Sequence, residues 1–444
     1  MRLYRFAPAL LFALSACNNS PRESVSKTQG PNPPLEQPRT SVVPTVNVAK
    51  GEGWPAGKTP VAAESLKVNE FAGGLTHPRW LQVLPNGDVL VAETDSPGTD
   101  KTGGSIRGTI QEMLMKKAGS SQGSANRISL LRDADGDGVV ERKSPLLTGL
   151  YSPFGMALAN GELFVANADG IVAYRFQPGQ TEIAGRPRHV TNLPSGYNHH
   201  WTKSMVASPD GRFLFVGVGS NSNVGENGLE MEKGRAAIWM IDARSGAYRI
   251  FASGLRNPVG IAWNPWSNRL WVVVNERDEL GDNLVPDYLT SVRDGAFYGW
   301  PWSYFGNHVD SRVKPPRPDM VAKAIAPDYA LGTHVAPLGL AFSSGAALGA
   351  RFMQGAFVGE HGSWNRKDPS GYRVVFVPFT GAQPSGKPID ILTAFRVGDV
   401  AYGRPVGVAI GKDGSLLIAD DVGGKVWRVT AAATQPLPPK PATR

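Results

Sequence analysis

Cysteine is almost missing from this chain of 444 residues. Cys17 is the only one, which excludes disulfides, cysteine-built zinc sites and thiol catalysis from whatever folds after it. Long apolar runs are missing as well: the run from Phe6 to Ala16 has 11 residues, and a membrane-spanning helix needs about 20. No stretch of five or more Lys and Arg occurs, and the net charge of +8 is mild for this length, so a nucleic-acid partner is not expected. Neither a glycine-rich dinucleotide loop nor a regular alternation of strand and helix patterns is found.

What is present begins with Arg2 and Arg5 ahead of the apolar run, which closes on Leu14-Ser15-Ala16-Cys17. This is the pattern of a bacterial lipoprotein signal, so residues 1–16 are expected to be removed and Cys17 to carry the lipid. Asn18 behind the cysteine resembles an outer-membrane address more than an inner-membrane one. The expected location is the bacterial cell envelope, periplasmic or outer-membrane-associated, with the lipid as the only membrane contact. Residues 17–61 are rich in Pro and Ser and predict a disordered tether; 433–444 predict a disordered tail.

Between them, over 62–432, one phrase recurs six times: a turn with Gly or Pro, a short apolar strand, a second turn, and another apolar strand. Gly74-Leu75-Thr76-His77-Pro78 leads through Pro85-Asn86-Gly87 into Val89-Leu90-Val91-Ala92. Later copies start near Gly149, Asn198, Gly254, Ala336 and Gly403. Asn-Gly and Asp-Gly turns between apolar runs signal hairpins, and self-similarity at tens of residues signals stacked sheets. The expected fold is all-β: a six-bladed β-propeller of four-stranded antiparallel blades with inserted loops. The largest insertion, Asp95 to Asn126, carries a short helix pattern at 110–117.

Propeller loops converge on the central channel, so polar residues at matching positions of several copies are the candidates for chemistry. These are Asn198-His199-His200, Arg256-Asn257, Glu360-His361-Gly362-Ser363-Trp364-Asn365-Arg366 and Arg404, with only His77, Arg79 and Tyr151-Ser152 in the first two copies. Arginine forks suit a planar anion and histidine accepts a proton near neutrality. Ordinary turn and packing roles remain open for each. Two acidic stretches qualify for calcium or for a solvated turn: Asn275 to Asn283, and Asp133-Ala134-Asp135-Gly136-Asp137-Gly138, which follows an EF-hand loop until Ser144 takes the place of its closing Glu.

Gly254-Leu255-Arg256-Asn257-Pro258, Phe297-Tyr298-Gly299-Trp300-Pro301 and His361-Gly362-Ser363-Trp364-Asn365-Arg366 together resemble the soluble pyrroloquinoline-quinone (PQQ)-dependent sugar dehydrogenases, L-sorbosone dehydrogenase branch. The resemblance implies a six-bladed propeller that binds PQQ and calcium and oxidises an aldose or sugar aldehyde, passing electrons to a cytochrome or quinone pool. It assigns proton abstraction from the C1 hydroxyl to His200, polarisation of the quinone to Arg256, and cofactor contacts to Asn257, Arg366, Lys367 and Arg404. Calcium would sit in the acidic stretch, partly on backbone carbonyls, using the side chains of Asp278 and Asp282, with Tyr298 nearby. The family places an aspartate beside the histidine; Gly219-Ser220-Asn221 stands there instead, so a less basic His200 is expected. Two other functions are weighed against this one: a non-catalytic propeller binding glycans or partner proteins, and a calcium-dependent lactonase.

Overall fold

Each copy of the phrase forms the first two strands of an antiparallel sheet in the computed structural model, which describes residues 25–39, 45–97, 117, 119, 123–196 and 198–432. The first copy shows the cause. Pro78–Val83 and Val89–Glu93 meet at a turn where Gly87 N donates to Leu84 O at 2.9 Å, with Gly87 at φ 102°, a conformation that favours glycine. Arg127–Arg132 and Arg142–Leu147 complete that sheet. The second sheet is Met156–Ala159, Glu162–Ala166, Gly170–Arg175 and Arg188–Asn192; the third is Met205–Ala207, Phe213–Val218, Ala237–Asp242 and Tyr248–Ser253. The fourth is Asn257–Asn264, Arg269–Asn275, Pro286–Val292 and Tyr329–Thr333; the fifth is Pro337–Phe342, Gly355–Glu360, Arg373–Thr380 and Ile389–Thr393. Pro405–Ile410, Leu416–Asp420 and Lys425–Ala431 make the sixth, and its outer strand is Leu66–Ala72, from the other end of the domain.

The first strand of every sheet packs against the first strand of the next, and that of the sixth returns to the first. Close approach there explains the glycines of Pro337-Leu338-Gly339 and Pro405-Val406-Gly407. A Cβ on Gly339 would lie 2.2 Å from Val406 O, and one on Gly407 would lie 2.7 Å from Arg79 O. Only glycine lets neighbouring backbones come so near. The second strands are buried on both faces throughout Val89–Glu93, Gly355–Glu360 and Leu416–Asp420, which is why they read as continuous apolar runs rather than alternations. The fold is all-β and β-propeller-like.

The described parts of 17–61 differ from the expected tether. Gln29–Gly30 adds a strand to the edge of Tyr329–Thr333, Lys50–Gly51 pairs with Val400–Ala401, and Trp54 Nε1 donates to Asp420 Oδ2 at 2.6 Å. Composition missed this because the segment borrows its core from the sheets it crosses. The expected signal at 1–16, Cys17 and the tail at 433–444 lie outside the described residues, as does all but Lys117 of the helix pattern at 110–117. Among the described residues no helix is long and apolar enough to cross a membrane.

Candidate active site

In an antiparallel pair, the start of the first strand and the end of the second lie at the same end of the sheet. That end gathers His77, Arg256, Asn257, His334 and Arg404, which precede or open first strands. It also gathers Ser220, Glu276 to Asn283, His361 to Arg366 and Asp421, which follow second strands.

Arg256 lies 3% exposed and all its N–H groups are engaged: Nε by Asn223 O at 3.1 Å, Nη1 by Asn275 O and Glu276 O, and Nη2 by Asn223 Oδ1 at 3.0 Å and Asp278 Oδ2 at 3.2 Å. Asp278 Oδ1 accepts from Asn365 Nδ2 at 2.7 Å and stands 3.5 Å from His334 Nδ1. His200 Nδ1 lies 2.9 Å from Ser220 O and 3.0 Å from Ser220 Oγ. Asn257 packs against the same point: a Cβ on Gly219 would meet His200 Cβ at 2.4 Å and Asn257 Oδ1 at 2.6 Å. Burial first, and then the Arg256 charge, hold His200 well below the usual histidine range, so its imidazole is neutral near pH 7.

A second cluster joins the sixth, fifth and first sheets. Asp421 Oδ2 pairs with Arg79 Nη1 at 2.7 Å and with His361 Nε2 at 2.9 Å. Arg404 Nη2 donates to Tyr372 Oη at 3.1 Å, with its guanidinium 4.7 Å from the centre of that ring. Burial pushes His361 down to about 4. Burial opposes the charge of Asp421, but His361, His77 and Arg79 outweigh it and hold that carboxyl below the usual range. Among the described residues, several buried atoms here have no hydrogen-bond partner: His77 Nε2, Arg79 Nε, Arg404 Nε, Asp421 Oδ1 and, beside His200, Asn257 Oδ1.

The structure thus brings His200, Arg256, Asn257 and Arg404 to one end of the molecule, together with Arg79 of the first copy. It does not gather the expected metal ligands. Both Asp278 oxygens face protein donors, and Asp282 Oδ2 accepts from Lys367 N at 3.1 Å. Tyr298 is packed in the core and donates to Ser291 O at 2.6 Å, with burial pushing its hydroxyl up to about 12. The Arg277 side chain is fully buried between Glu276 and Asp310, donating to Pro301 O and Ser303 O. Arg366 uses Nε on Asp368 O and Nη1 on Asp282 O, while the Lys367 side chain is at the exposed surface. Sequence reasoning missed Asn223, His334 and Asp421. For Asp421 a signal existed, since it follows a second strand at the position that carries polar residues in other copies.

Asp133, Asp135, Asp137 and Glu141 place ligand atoms within 4.8 Å of one another. They sit between the third and fourth strands of the first sheet, hence at the end opposite the site. Asp133 already accepts from Gly136 N and Gly138 N, as a polar turn does.

The sequence profile of the TrAA12-like family matches residues 119–288 and 319–432. An uncharacterised protein of Borreliella burgdorferi is 33% identical over 219 residues, which cover 49% of this chain and 56% of that protein. A pyrroloquinoline quinone-dependent pyranose dehydrogenase of Coprinopsis cinerea is 24% identical over 440 residues, covering 84% of this chain and 55% of that one. The chain therefore spans about half the length of these curated relatives. Among solved structures, the calcium structure of the Trichoderma reesei family AA12 enzyme superposes with a TM-score of 0.68 at 20% identity, over 84% of this chain and 97% of that chain. The holo form of the Coprinopsis cinerea pyranose dehydrogenase PQQ domain gives 0.65 at 21% identity, over 86% and 100%. At such identities the likeness is one of fold.

Proposed function

The chain belongs to the TrAA12-like family, and from that membership we propose that it is a PQQ- and calcium-dependent dehydrogenase oxidising an aldose or sugar aldehyde of the sorbosone or glucose kind. Its six sheets are read as six blades of a closed propeller, a reading supported by the circuit of first-strand contacts. The observation that carries the function is the half-buried His200 within reach of the fixed charge of Arg256, at the end of the molecule where, among the described residues, buried polar atoms lack partners.

Three of those orphaned atoms fit a planar polycarboxylate. Arg79 Nε and Arg404 Nε are donors for carboxylate oxygens, and Asn257 Oδ1 is an acceptor for a ring N–H. When bound, PQQ would supply the two-electron acceptor for hydride. The remaining work is the chain's own. His200 Nε2 takes the proton of the sugar C1 hydroxyl. Arg256, with its N–H groups held by the protein, acts as an immobile positive charge where negative charge develops. Arg79 and Arg404 hold carboxylates. Asp278, Asp282 and Tyr298 do not fit a calcium ion as a set, so calcium enters the proposal through the calcium-bound relative and without a side-chain ligand assignment.

The decisive experiment titrates purified protein with PQQ and calcium, follows the absorbance, and then assays dye reduction with a panel of aldoses and sugar aldehydes. A stoichiometric spectral shift and turnover are expected, with turnover abolished in His200→Ala. Failure to retain the quinone together with failure to turn over any sugar would sink the proposal, and sugar binding without turnover would favour a non-catalytic propeller. We further propose lipidation at Cys17 and residence in the cell envelope, with electrons passing to a cytochrome or quinone pool. Radiolabelled palmitate should enter the parent protein and not Cys17→Ala; equal labelling would refute the anchor.

A further inference from the structure

The hydrogen bonds around His200 decide which of its ring nitrogens carries the proton. Ser220 O has no hydrogen to give. Ser220 Oγ has one, and it is committed to Ser222 O at 2.7 Å. Both atoms therefore meet His200 Nδ1, at 2.9 and 3.0 Å, as acceptors, so the hydrogen belongs on Nδ1. Nε2, which has no protein partner among the described residues, then carries the lone pair.

The turn that makes these contacts is braced from behind. Ser220 N donates to Arg256 O at 2.7 Å, Asn221 N donates to Glu232 Oε2 at 2.7 Å, and Ser222 Oγ donates to Glu232 Oε1. Glu232 is itself buried. From the front, the imidazole lies against Gly219, where a Cβ would come within 2.4 Å of His200 Cβ. The charged and titratable groups around the ring are Arg256, His199 and Lys203, and each opposes its protonation, while Asp278 and Glu226 act on His199.

We propose that Ser220 is a positioning residue for the base: it fixes His200 as the Nδ1–H tautomer, with the Nε2 lone pair turned to the site, by neutral acceptors in place of a carboxylate. The role of His200 as base rests on the function proposed above; the tautomer does not. Without an anion behind it, the imidazole stays in its working, unprotonated form into the acid range and holds a captured proton weakly.

Protein labelled with 15N-histidine tests this without cofactor or sugar, the His200 signals being assigned by their loss in His200→Gln. In the parent at neutral pH, Nδ1 should resonate as a protonated nitrogen and Nε2 as an unprotonated one. Ser220→Asp should raise the titration midpoint of His200 by about one unit or more, as a carboxylate at contact distance does. Ser220→Thr, which keeps both acceptors, should retain the parental tautomer and midpoint. A mixture of tautomers in the parent would overturn the proposal, and so would an unmoved midpoint in Ser220→Asp. Should Ser220→Asp fail to fold, the parental tautomer alone still decides. Absence of sugar oxidation would remove the proposed function and leave this assignment standing.

Discussion

The Asp278 carboxylate is shared among Arg256, Asn365 and His334, so its charge is already balanced by the protein. A metal there would have to displace those donors. The Arg256 and Asp278 side chains are 4% and 16% exposed, and breaking so enclosed a pair by removing one partner is costly. Asp278→Ala is expected to lose about 3–5 kcal/mol in urea denaturation; a loss below about 1 kcal/mol would show the pair to be unimportant. At this scale the sequence was legible where a residue's place in the repeat sufficed. His200, Arg256, Asn257 and Arg404 were singled out in that way, and they lie at one end of the sheets. Asp282 and Tyr298 were chosen by residue type within a stretch, and type does not say which way a side chain turns: Tyr298 turns into the core.

Among the elements, strands were legible and the N-terminal segment was not. Apolar runs bounded by Asn-Gly, Asp-Gly and other Gly or Pro turns mark the sheets because hairpin geometry is local. Residues 25–39 and 45–62 follow no such pattern, yet they cross three sheets. Asn283 Nδ2 donates to Glu36 Oε1 at 3.0 Å, Arg39 N to Leu280 O at 2.9 Å, and Asn47 N to Trp364 O at 2.8 Å. Within it Trp54 reaches Asp420, whose carboxylate accepts from Trp54 Nε1, Trp427 Nε1 at 3.0 Å, Gly423 N and Arg404 N. Burial still raises Asp420 from 3.8 to about 6. An acid raised in the fold is most favourable to stability below its unfolded value, and that contribution is lost as pH rises through the folded value. Trp54→Phe removes a donor to the charged form. Its deficit against the parent should therefore widen between about pH 4.5 and about pH 8, by roughly 1.5–3 kcal/mol. A deficit independent of pH would mean that Trp54 matters only as packing.

For the whole molecule, closure depends on both ends of the domain, because Leu66–Ala72 completes the sheet that Lys425–Ala431 cannot complete alone. Trp427 lies at this seam, fully buried, with its ring centre 5.3 Å from that of Trp54. Trp427→Ala is expected to lower global stability by about 3–5 kcal/mol. The loss should appear in one transition by both fluorescence and circular dichroism, whereas two separated transitions would show that the seam opens on its own. The sequence by itself determined the all-β class, the six repeated hairpins and the end of each sheet that carries polar residues, since these follow from local periodicity and turn chemistry. Only the tertiary structure decided which of those residues meet. Arg256 reaches Asp278 across 22 positions, Asn365 reaches it across 87, and Arg79 reaches Asp421 across 342. Such partnerships depend on how the ring closes and what it buries, and no local pattern encodes that.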